Sequence, residues 1–127
     1  LRIDTASRPV TLLLVVAWAI MLLYLSLTPA PPRVEGPLGW DKLQHAAALG
    51  VMAFLVLRAS LSFCATPFSS ACTGFVFATL FGGLIEIMQQ RFTANRQADP
   101  IDFVADAIGA LIAVLLTRIG PCVRGNR

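Results

Sequence analysis

Charge is what this chain has least of. Of its 127 residues only 13% are Asp, Glu, Lys or Arg, against about 25% in an average soluble domain. The apolar residues make up 57%, and the mean hydropathy is +0.75. Too little charge is present to coat a water-exposed sphere of this size. An ordinary soluble enzyme and a disordered tail are excluded on that ground. Cysteine is also sparse. Cys64, Cys72 and Cys122 are odd in number and form no CxxC pair, which excludes a disulfide scaffold and a cysteine metal site and leaves packing or loop thiols. Histidine occurs once, as His45.

What is present is long apolar sequence. Only a helix bundle or a closed barrel satisfies its backbone inside a bilayer, and the apolar stretches here are continuous rather than alternating. The expected fold is therefore all-α: a polytopic membrane protein, a four-transmembrane-helix bundle in a single domain over residues 1–127. The spans are expected at about 10–27, 41–61, 69–91 and 100–118, each near the roughly 20 residues that cross a hydrocarbon core. The first, Val10 to Leu27, follows Arg2 and Arg8 like a signal peptide. Its length and the Pro31-Pro32 pair after Thr28-Pro29-Ala30 favour a retained helix instead.

Punctuation supports the same count. Pro29, Pro31, Pro32 and Pro37 make the first connector stiff and extended, and Trp40 ends it where an interfacial aromatic belongs. Asp41 with Gln44 reads as a capping box opening the second helix. A turn over Ser62 to Pro67 and a polar loop over Phe92 to Ala98 separate the next spans. Asp99-Pro100 reads as N-cap and first helical residue of the fourth, and Gly120-Pro121 as its stop.

An even number of spans puts both termini on one side. That side carries Arg2, Arg8, Arg58, Arg118, Arg124 and Arg127, against Arg33, Lys42, Arg91 and Arg96 on the other. By the positive-inside rule both termini are cytoplasmic. The basic tail then reads as an orientation signal and anionic-lipid contact, and nucleic acid is not an expected partner.

Six of the seven acids fall on the opposite side. His45 lies four residues after Asp41; Glu86 lies on a stripe with Gly82 and Gln90; Asp106 lies on one with Asp102 and Gly109. At about 1.5 Å per residue, His45, Glu86 and Asp106 reach similar depth below the outer surface. Ionisable groups at depth usually face a bundle interior or a watery cavity. Small residues on the same stripes (Ala46, Gly50, Gly82, Gly83, Ala105, Gly109, Ala113) let helices approach closely there. Plainer roles compete at the margins. Asp41 and Asp99 serve as caps, Asp102 answers a helix dipole, Lys42 snorkels, Arg91 anchors at the interface, Arg96 is solvated, and Gln90 bonds between helices. For the deeper three the plain alternative is a mutually satisfied network.

Asp41-Lys42-Leu43-Gln44-His45, then Gly83-Leu84-Ile85-Glu86-Ile87-Met88-Gln89-Gln90, then Arg96-Gln97-Ala98-Asp99-Pro100-Ile101-Asp102 leading to Asp106-Ala107-Ile108-Gly109, with Ser26-Leu27-Thr28-Pro29 upstream, together resemble the VanZ-like family over roughly residues 20–115. The resemblance implies a small polytopic protein of the bacterial cytoplasmic membrane. The family's namesake accompanies glycopeptide resistance genes and gives low-level teicoplanin resistance. The resemblance supplies no molecular activity. One position departs from the pattern: Leu49 stands where the family often has tyrosine. Nothing in the chain points to a glycopeptide resistance cluster.

The expected function is a site at the outer leaflet that binds or modifies a lipid or a lipid-linked envelope precursor. His45, Glu86 and Asp106 are the candidate catalytic residues, the first two for acid–base work. Lys42, Gln90, Arg91, Arg96 and Asp102 are the candidate substrate-binding residues, the arginines through bidentate phosphate bonds. One histidine without ligand spacing gives no ground to expect a metal, and no cofactor is expected. Two alternatives stand beside this reading. One is a non-catalytic accessory protein that shapes the envelope's antibiotic response; the other is a small proton-coupled transporter, which would need oligomerisation. A second copy of the chain is accordingly a candidate partner.

Overall fold

The computed structural model describes residues 8–29, 40–63, 66–94 and 99–119; the side chains of Trp40, Asp41, Arg118 and Ile119 are outside that description. Four α-helices follow one another: α1 (Arg8–Leu27), α2 (Trp40–Ser62), α3 (Pro67–Phe92) and α4 (Pro100–Ile119). All four are long and apolar enough to cross a membrane, and there is no strand among the described residues. The protein is a multi-pass membrane protein built as a four-helix bundle.

The helix ends differ from the expected ones by one or two residues. The start of α3 has a clear cause. Thr66 is extended and its side chain accepts the Ser69 N–H at 3.1 Å, with Pro67 at the first helical position. Residues assigned to the turn are thus a cap and a first turn. At α4 the expectation holds: Asp99 Oδ1 accepts the Ile101 N–H at 2.9 Å. Helix α2 begins at Trp40, which puts Asp41 inside its first turn rather than at the expected cap. The Gly120-Pro121 stop and residues 30–39 of the proline-rich connector lie outside the described residues, as do Cys64 and Cys122. Cys72 is exposed on α3.

Helix α2 is the central element, packed against the other three. Its buried stripe of Leu49, Met52, Ala53, Val56 and Leu57 forms the core with Ala71, Ala78 and Ile85 of α3 and Ala110 and Val114 of α4. Leu49, the position that departs from the VanZ-like pattern, is a core residue only 1% exposed. Helix α1 is peripheral, and most of its apolar side chains are exposed. In lipid such a surface needs no protein cover, because the tails are as apolar as leucine. Polar contacts hold α1 in place. Trp18 Nε1 donates to the Ala48 carbonyl at 3.0 Å, Gln89 Nε2 donates to the Ser26 carbonyl at 3.2 Å, and the Arg8 guanidinium lies 5.6 Å from the Phe63 ring centre.

Close approach of α2 and α4 depends on Gly109. A Cβ at that position would overlap the backbone of Ala46, its carbonyl oxygen first. The small residues on these two stripes meet backbone to backbone, as their spacing suggested.

Candidate functional site

The end of the bundle where α1 and α3 finish and α2 and α4 begin gathers the ionisable side chains. His45 comes from the second turn of α2, Glu86 from the last two turns of α3, and Asp106 from the second turn of α4. Their ligating atoms all lie within 4.8 Å of one another. Asp106 is fully buried, Glu86 is 7% exposed, and the His45 side chain is 13% exposed. Gly82 creates the space for Asp106: a Cβ there would stand 2.7 Å from Asp106 Oδ2.

The contacts inside this cluster are few. His45 Nδ1 and Asp106 Oδ1 are 3.7 Å apart, beyond hydrogen-bond reach. Glu86 Oε2 accepts the Asp99 backbone N–H at 3.2 Å. The remaining carboxylate oxygens, Glu86 Oε1 and both of Asp106, are buried without a hydrogen-bond partner among the described residues. Buried polar atoms are nearly always paired, and exceptions need an explanation. Among the described residues the cluster is only partly paired.

Nearer the surface sits a second, well-paired group. Lys42 Nζ lies 3.1 Å from Asp99 Oδ2 and 3.1 Å from Asp102 Oδ1. It ties the start of α2 to the start of α4. Lys42 and Asp102, both expected to hold substrate, thus engage each other, because those two helix starts are neighbours. Asp99 caps α4, pairs with Lys42 and supports Glu86 at once. That supporting role was not expected from sequence, since it uses a backbone N–H that every residue but proline carries.

Two of the other expected binding residues stay at the surface. Arg91 and Gln90 are exposed at the end of α3, and Arg96 lies outside the described residues. Gln89 is buried in place of Gln90. The reason is angular. Eight residues from Gly82 to Gln90 rotate by about 80° past two full turns, whereas seven residues to Gln89 fall within about 20° of the starting face. The spacing of seven was the available signal.

Beside the cluster, on the flank between α2 and α4, is an open groove of about 580 Å³. Ala46, Gly50, Val51, Gly109, Ile112 and Ala113 form much of its wall, and Thr117 is the one polar side chain lining it. None of the three clustered ionisable residues lines it. It runs from Leu43 to Phe54 along α2, about 16 Å at about 1.5 Å per residue.

Fold and cluster together define a four-helix membrane protein with a buried His–Glu–Asp group at one end. No protein-family model, curated protein or solved structure matches the chain.

Proposed function

We propose that this chain is a VanZ-like protein of the bacterial cytoplasmic membrane, with both termini cytoplasmic. In this reading, its outward-facing polar site binds or modifies a lipid or a lipid-linked envelope component. The observation that carries it is the convergence of His45, Glu86 and Asp106, with three buried carboxylate oxygens that have no hydrogen-bond partner among the described residues. Leaving buried charged groups half satisfied is costly. An arrangement of that kind is retained where the groups act on something else. The apolar groove adds support. Its Leu43 end adjoins Lys42 at the polar end of the bundle, so an amphiphile with its chain in the groove brings its head group towards His45.

Two observations weigh against the alternatives. A purely accessory role leaves the unpaired oxygens without a reason. A transport path would need polar groups through the bundle, whereas Glu86, Asp99, Asp102 and Asp106 all lie at one end.

The test is lipid retention. Chain purified into nanodiscs of phosphatidylcholine is titrated with phosphatidylglycerol or a polyprenyl phosphate and read by native mass spectrometry. Saturable retention of either lipid is expected, and its loss in His45→Ala at unchanged melting temperature. Equal retention by the parent and His45→Ala would overturn the reading.

A further inference from the structure

We propose that His45, Glu86 and Asp106 form the protein side of a binding site for one divalent first-row transition-metal ion. One ring nitrogen and one oxygen from each carboxylate lie within 4.8 Å of one another. Ligand atoms about 2.0–2.2 Å from a tetrahedral ion stand about 3.4 Å apart. Small side-chain rotations therefore bring the three onto one centre. Three protein ligands with a position left open is the arrangement of catalytic rather than structural zinc.

The orphaned oxygens are an observation independent of this clustering. Glu86 Oε1 and both Asp106 oxygens are buried and lack a hydrogen-bond donor among the described residues, and Asp106 is wholly enclosed. The Lys42 ammonium bonds to Asp99 and Asp102 and to none of these oxygens. Two carboxylates and one imidazole within 4.8 Å of one another are a donor set that suits a cation, and a divalent ion would give the orphaned oxygens a partner.

The surroundings fit that use. The Asp99 N–H holds Glu86 Oε2, which leaves Oε1 as the ligand atom; outer contacts of this kind orient metal ligands. Gly82 admits Asp106 to the same point. The mixed nitrogen and oxygen set suits zinc or manganese better than magnesium, whose protein sites are built mainly from oxygen. The metal site needs only these three side chains. Its role, taking a phosphate oxygen of the head group in the open position, rests on the reading proposed above. It explains how an anionic head group could be held although Lys42 is occupied and Arg91 points outward.

The experiment uses the full chain in detergent, stripped with EDTA and dialysed. Zn2+, Mn2+ and Mg2+ are titrated by calorimetry, and Mn2+ is also followed by pulsed electron paramagnetic resonance. Expected are one zinc or manganese ion per chain, much weaker magnesium binding, and a histidine-nitrogen coupling to bound Mn2+. Asp106→Asn and His45→Gln should each weaken zinc binding by about 100-fold or more, with helical circular dichroism unchanged. No saturable zinc or manganese binding by the folded parent overturns the proposal. Binding without nitrogen coupling, or binding that survives Asp106→Asn, places the ion elsewhere and also overturns it. The nitrogen coupling is read on the parent, so a variant that fails to fold does not obstruct the test. Lipid retention by the EDTA-stripped parent separates the two readings. Metal without lipid sinks the lipid reading alone, and lipid without metal sinks the ion alone.

Discussion

The backbone N–H of Asp99 donates to Glu86 Oε2 at 3.2 Å, so the residue that caps α4 also fixes a carboxylate on α3. The same Asp99 uses one side-chain oxygen for its cap and the other for Lys42 of α2. Three helices thus meet through one residue at the rim of the buried cluster. The rim is paired where the interior is left open, which is the division expected of a site oriented by its supports.

The first prediction concerns that rim. Lys42 bonds to two aspartates, and each aspartate has Lys42 as a cross-helix partner. Lys42→Met should therefore lower the detergent melting temperature more than Asp102→Asn, which leaves the Lys42–Asp99 pair in place. A double-mutant cycle between Lys42→Met and Asp99→Asn should show clear coupling. Additive effects would mean that the ion pair does not join α2 to α4.

The second prediction concerns helix approach. Any side chain at Gly109 overlaps the Ala46 carbonyl, whereas a Cβ at Gly50 would stand 3.1 Å from the Gly109 oxygen, a contact that a slight shift relieves. Gly109→Ala should cost at least about 1–3 kcal/mol of stability, and Gly109→Leu more. Gly50→Ala should cost distinctly less than Gly109→Ala. Unfolding in detergent mixtures measures the order, and a reversed order would show that α2 and α4 do not meet at Ala46.

How much of this was legible beforehand depends on which force acts. The four spans were readable because length and hydropathy alone decide them. The depth of His45, Glu86 and Asp106 was readable because rise per residue is fixed, and their convergence follows once small residues turn those stripes inward. The α3 start was missed although Thr66-Pro67 carried the signal. A spacing of four drifts around the helix, so it points to Gln90 where Gln89 is the buried residue. The Lys42 bridge was not legible, since it requires knowing that the starts of α2 and α4 are neighbours. Nor was the Asp99 N–H support of Glu86, which leaves no mark on side-chain chemistry.

The third prediction is orientation. Six arginines flank one side of the spans and four basic residues the other, which the positive-inside rule reads as cytoplasmic termini. With Cys64, Cys72 and Cys122 replaced by serine, Ala94→Cys should react with a membrane-impermeant maleimide in intact cells. Phe63→Cys, at the opposite end of the bundle, should react only after lysis. The reverse pattern would put the cluster on the cytoplasmic face and remove the outer-leaflet substrate.

The last prediction separates a site from a structural network by stability alone. Asp106 is completely buried, and neither of its oxygens has a hydrogen bond among the described residues. The His45 ring nitrogen is 3.7 Å away, too far for one, so in the absence of a ligand the side chain loses its hydration without a hydrogen bond in return. Asparagine has nearly the same shape, carries no charge and brings an N–H2 group able to donate to Glu86 Oε1. In EDTA, Asp106→Asn should therefore be more stable than the parent, because a carboxylate left without a hydrogen bond is replaced by an isosteric amide that makes one. Functional groups that destabilise the empty protein show this trade-off. A structural role demands the opposite sign, because removing a member of a satisfied network leaves its partners unpaired. Thermal unfolding in detergent, followed by circular dichroism at matched lipid content, reads the sign directly. A clear fall in melting temperature for Asp106→Asn under EDTA would identify the carboxylate as part of the scaffold.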